Sequence, residues 1–128
     1  MLIFGHPLIE AKEFYFVKDE KDILKTPSNS IVVFEFGEDS FHLAKYCSQN
    51  LLSFALKVKD IKELLISNAW GAKFALVEGD FAKEAQEIAE EYLFDMKIIL
   101  EIESEKEMIK AAKNGIDGVI FRNRIKFI

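Results

Sequence analysis

The chain has 128 residues, half of them apolar or aromatic and 30% charged, with a formal net charge of −5. That composition fits a single globular domain large enough to bury a core and argues against disorder. Lysines are interleaved with Asp and Glu, and only Arg122, Arg124 and Lys126 gather, which leaves no basic footprint for nucleic acid.

Taken in chain order, Leu2–Phe4 is a short apolar run, readable as an extra edge strand or a clasp onto a partner. The opening MLIFGHPLIEAKEF lacks a basic segment and a long apolar stretch, so a signal peptide is not expected. No run approaches the ~20 apolar residues that span a bilayer. Cys47 is the single cysteine, so no internal disulfide can form and a reducing, cytoplasmic setting is expected. Strands are expected at Phe14–Val17, Ile31–Phe36, Ser53–Val58, Lys73–Glu78, Lys97–Ile102 and Gly118–Phe121, where β-branched and aromatic residues concentrate. Most of the 12 phenylalanines, having no polar handle, should be core. Helical stretches separate the strands. Asp80–Phe94 is the clearest, because Phe81, Ala85, Ile88, Ala89, Tyr92 and Leu93 recur at helical spacing. The end Ile125–Ile128 is ambiguous in the same way as Leu2–Phe4. Strand alternating with helix predicts one α/β domain over residues 1–128 with a mainly parallel, six-stranded sheet.

The chain also repeats itself. LKVKDIKELLISNAWGAKFALVE from Leu56 aligns without a gap on LEIESEKEMIKAAKNGIDGVIFR from Leu100, over 23 positions at an offset of 44. VKDEKDIL from Val17 joins as a third, shorter copy of VKDIKELL from Val58. The unit is strand–helix–strand–helix. Its recurring residues have structural jobs. Asp19, Asp39, Asp60 and Asp80 stand at helix starts, where a carboxylate accepts from free backbone N–H groups. Asp60 with Glu63, and Ser104 with Glu107, have capping-box spacing. Gly71 and Gly115 close helices in the left-handed conformation.

In parallel α/β proteins, ligands bind beyond the carboxyl ends of the strands. The repeat puts Glu35, Lys59, Glu78, Glu103 and Arg122 on that rim. Neither GxGxxG nor GxxxxGK[ST] occurs, and aspartates at the helix starts repel anions, so phosphate and nucleotide cofactors are not expected. Glu38, Asp39, Glu78 and Asp80 could hold a hard cation if the second and fourth expected strands were neighbours; as caps and solvated turn residues they need no metal. This acidic layout resembles the pocket of response-regulator receiver domains. It departs from them in having Arg122, Asn123 and Arg124 where such a domain carries a lysine, and in lacking the helix that follows. Cys47 and His42 are five residues apart and do not share a helix face, and two His with one Cys have no zinc spacing.

Lys57 and Glu101 are the anomaly: charges at equivalent repeat positions near the ends of strands expected to be apolar on both faces. The unit LEIESEKEMIKAAKNGIDGVIF resembles the strand–helix–strand units of TIM-barrel proteins, which implies a partial barrel with inward polar residues at the strand ends. The phosphate-gripping glycines of such barrels are missing. A doubly wound, flavodoxin-like sheet is the competing arrangement. Two functions follow. The favoured one is a non-catalytic module that self-associates, as a homodimer, or binds another protein, because short helices would leave one sheet face needing a lid. The other is a small enzyme or ligand-binding domain using the charged rim.

Overall fold

A computed structural model describes all 128 residues. Eight strands and five helices alternate. They are β1 (Leu2–Phe4), β2 (Phe14–Phe16), α1 (Glu20–Leu24), β3 (Ile31–Glu35), α2 (Ser40–Gln49), β4 (Phe54–Lys57), α3 (Ile61–Trp70), β5 (Phe74–Val77), α4 (Phe81–Glu91), β6 (Lys97–Ile102), α5 (Glu105–Lys113), β7 (Gly118–Phe121) and β8 (Lys126–Phe127), with a 3₁₀ turn at Arg122–Arg124 before β8. The six expected strands are all present. The count rises to eight because the two apolar ends, β1 and β8, also pair into the sheet.

All pairings are parallel, and the order is β1-β7-β6-β5-β4-β3-β2-β8. From β2 to β7 spatial order follows chain order, so the winding never reverses. A doubly wound sheet requires a switch point, and that alternative is excluded. The same order demands curvature. β7 and β8 stand six places apart, which is about 29 Å across a flat sheet. Only Arg122–Ile125 lie between them, and that link reaches at most about 18 Å. The sheet therefore curls strongly into a barrel-like form, and the C-terminal segment draws its two ends together. A salt bridge from Lys126 Nζ to Glu13 Oε1 at 3.0 Å fastens this seam. Its hydrogen bond holds the Glu13 carboxyl below the usual range and the Lys126 ammonium above it.

Alternation along the strands sorts their side chains into two cores. The outward set, with Val32, Phe34, Leu56, Ala75, Val77, Ile98 and Val119, packs under the helices with Leu43, Leu64, Ala85 and Ala111. The inward set is Phe4, Phe14, Ile31, Val33, Ala55, Phe74, Leu76, Ile99, Ile120 and Ile125. Phe4 of β1 and Phe14 of β2 both reach Phe74 of the central strand β5, with ring centroids 5.5 and 5.6 Å apart. The curl thus fills its own concave face. No second copy is needed to cover it, which removes the sequence-based reason for a lid.

Helix ends show the repeat at atomic detail. Asp19 accepts from the Asp22 N–H, Asp60 from Glu63 and Ser104 from Glu107. These begin α1, α3 and α5. At α2 and α4 the expected caps Asp39 and Asp80 make no side-chain capping bond. Both lack the extended backbone of a capping residue (Asp39 ψ 3°, Asp80 in the right-handed helical region), so neither carboxylate reaches back over the first turn. Gly71 (φ +88°) and Gly115 (φ +71°) close α3 and α5 as expected. The corresponding closures of α2 and α4 place Leu51 (φ +56°) and Leu93 (φ +53°) in the left-handed region.

Candidate functional site

Parallel strands deliver their last inward residues to one end of the curled sheet, its C-terminal mouth. Glu35 pairs in register with Lys57 and Lys57 with Leu76, while Glu101 and Ile120 pair two residues further along. Above the apolar layer of Leu76, Ile99 and Ile120 there is therefore a charged layer.

Glu101 is its centre. Only 3% of it is exposed. Its Oε1 lies 3.7 Å from Lys57 Nζ and 3.6 Å from Arg122 Nε, within ion-pair range but beyond hydrogen-bond range. That oxygen has no hydrogen-bond partner, alone among the buried side-chain polar atoms. Leaving a buried acceptor unpaired carries the full desolvation cost of the group. Burial pushes the Glu101 carboxyl above its ordinary pKa, Lys57 pulls it down, the Glu78 charge pushes it up, and Arg122 pulls it down. Burial outweighs the two cations, which stand 3.6 and 3.7 Å away.

Arg122 spans three carboxylates. It meets Glu103 at 2.6 Å, Glu78 at 3.4 Å and Glu101 at 3.6 Å. Lys57 has Glu101 as its single ion-pair partner and stands over the Phe16 ring, 5.5 Å from the centroid. Between these groups opens a cleft of about 260 Å³, lined by Glu35, Lys57, Val58, Lys59, Leu76, Glu78, Phe81 and Glu101. Leu76, Val58 and Phe81 supply its apolar wall.

The sequence-based rim is thus brought together in part. Glu35, Lys59 and Glu78 line the cleft, and Arg122 and Glu103 form the ion pair beside it. Lys57 and Glu101, singled out as strand anomalies but not placed among the rim residues, are its innermost members. Their inward register was the available signal, since each sits one residue before a buried residue of the outer core, Val58 and Ile102. The proposed cation ligands do not converge. β4 lies between β3 and β5, so Glu38 and Asp39 sit in a separate cleft with Lys18 and Ser40. Glu78 turns to Arg122, and Asp80 lies near Lys83. No group of three or more His, Cys, Asp or Glu residues is arranged to hold a metal ion. Cys47 is fully buried, and burial raises its thiol to about 11, which makes it a poor nucleophile at neutral pH. His42 pairs with Glu20 on the outside and His6 with Glu105. No helix is long and apolar enough to cross a membrane. Comparison with models of protein families finds no match, and neither does a search of curated protein sequences.

Proposed function

We propose that the protein binds a small polar molecule at the C-terminal mouth, with Glu101 as the group that contacts it. The observation that carries this reading is the buried Oε1 of Glu101, left without a hydrogen-bond partner in a residue that lines a cleft of mixed charge. A fold stabilised only by packing has no use for an orphaned carboxylate at the end of a barrel strand; a ligand that donates a hydrogen bond gives it one. A carboxyl held above its ordinary pKa is also suited to move a proton once a substrate is bound. The test is a fragment screen followed by backbone NMR at neutral pH. Binders are expected to shift Glu35, Lys57, Lys59 and Glu101 together and to lose that effect in Glu101→Gln. A screen whose binders leave the mouth untouched would defeat the reading.

A second reading keeps self-association, as a homodimer in a reducing cytoplasmic setting, and moves it to the opposite end of the sheet. There Leu51, Leu52, Tyr92 and Leu93 line one groove, with Leu51 93% and Leu93 86% exposed. Two exposed leucines held in a strained backbone region are the observation that favours it. Sedimentation of the wild type beside the double variant Leu51→Ser, Leu93→Ser decides it: a dimer that becomes a monomer supports the contact, and a wild-type monomer at high micromolar concentration removes it.

A further inference from the structure

We infer that the molecule bound at the mouth is a small zwitterion of the amino-acid type, with its ammonium group on Glu101 and its carboxylate on Lys57 and Lys59. This rests on the reading that the mouth is a ligand site, and adds the ligand's charge pattern and size.

Three observations support it. The first is the missing donor. Oε1 of Glu101 needs an N–H or O–H within about 3 Å, and the protein's own cations stop at 3.6 and 3.7 Å. A ligand ammonium supplies short donors with charge assistance once the Glu101 side chain turns its covered oxygen to the cleft, and Glu35 and Glu78, which line the same cleft, add to its attraction. The second is the state of the lysines. Lys59 makes no ion pair, and Lys57 makes only the long one to Glu101. Once an ammonium satisfies Glu101, Lys57 is released toward a ligand anion, and Lys59 is already free. The third is size and balance. The cleft, about 260 Å³, falls just below the roughly 300–1,000 Å³ of sites for drug-sized ligands. Its lining carries Glu35, Glu78 and Glu101 together with Lys57 and Lys59. A simple anion meets the carboxylates and a simple cation meets the lysines, whereas a molecule carrying both charges a few bonds apart pairs with each. Val58, Leu76 and Phe81 then receive a short apolar side chain.

Valine provides a probe with two matched halves, isobutylamine without the carboxylate and 3-methylbutanoate without the amine. NMR titration of the full chain at pH 7 is expected to show valine shifting Lys57, Lys59 and Glu101. Each half should bind about tenfold more weakly or worse, the loss expected when a charge-assisted pair is removed. Lys59→Met, on an exposed position that leaves the core intact, is expected to weaken valine by a similar factor while leaving isobutylamine unchanged. Either half binding as well as valine overturns the zwitterion, as does a mouth that takes other fragments but no amino acid; both outcomes leave the ligand site standing. A mouth untouched by amino acids, half-molecules and fragments alike removes the site together with this inference.

Discussion

Glu101 is the side chain whose protonation most directly couples to folding. Its folded-state pKa is raised by burial, while in the unfolded chain it returns to the ordinary carboxylate range. Below both values the group is protonated in both states and contributes no difference. As pH rises from the ordinary range through the raised folded value, the unfolded chain ionises first, so stability falls. Glu101→Gln removes that proton linkage while keeping the shape. The variant should therefore gain stability relative to wild type as pH rises above the ordinary carboxylate range, as read from paired urea melts; a difference independent of pH would show that the carboxyl titrates alike in both states, and a relative loss that it is paired when folded. The two left-handed leucines offer a second, independent test. An L-residue in that region costs roughly 1–2 kcal/mol, and Leu93 buries little to repay it, being 86% exposed. Leu93→Gly relieves the strain but frees the unfolded chain by about 0.4–1 kcal/mol. A net gain of about 0.5–1 kcal/mol is expected, visible as a raised melting temperature. Helical spacing placed Leu93 on the apolar face of Asp80–Phe94, but α4 ends at Glu91 and Leu93 turns out to solvent; nothing marked Leu51, because leucine is not a helix-closing residue and only the fold sets its φ.

Helices α1, α3 and α5 begin in one way and α2 and α4 in another, which is the strand–helix–strand–helix repeat expressed in backbone geometry. Asp60→Ala should cost about 1 kcal/mol, the usual value of a side-chain cap, whereas Asp39→Ala should show no capping loss, since Asp39 makes no such bond. Equal losses in denaturant melts would mean that the alternation has no energetic content. The strand β1 depends on a glycine in its neighbour. A Cβ at Gly118 would stand 2.8 Å from the Leu2 carbonyl oxygen, the Leu2 Cβ and the Ile99 Cδ1. Gly118→Ala should therefore cost about 1–3 kcal/mol, as overpacking does, and speed amide exchange in Leu2–Phe4 before the rest of the sheet. The sequence run GVIF announced a strand there and said nothing of β1, whose three residues have too short a pattern to identify a partner.

Closure of the sheet belongs to the whole chain. Ile125, 5% exposed, enters the inner core from the link between β7 and β8, where it packs with Phe4, Phe14 and Ile120. Ile125→Ala should cost about 2–5 kcal/mol, and hydrogen exchange should rise most in β2 and β8, at the seam, while β5 stays protected. Uniform acceleration across the sheet would mean that the seam is not a separate weak point.

The sequence by itself determined the six central strands, the repeat, the parallel α/β class and three of the helix caps. Each of these is carried by local periodicity or by a side chain acting within four residues of its own backbone. The tertiary structure alone decided three other things: that β1 and β8 join the sheet, that the concave face fills itself, and that Lys57 of β4, Glu101 of β6 and Arg122 of the turn after β7 meet at one mouth. Those outcomes depend on curvature, which arises from the link Arg122–Ile125 being too short for a flat sheet. A chain-length limit acting between distant strands leaves no mark in the periodicity of any one of them.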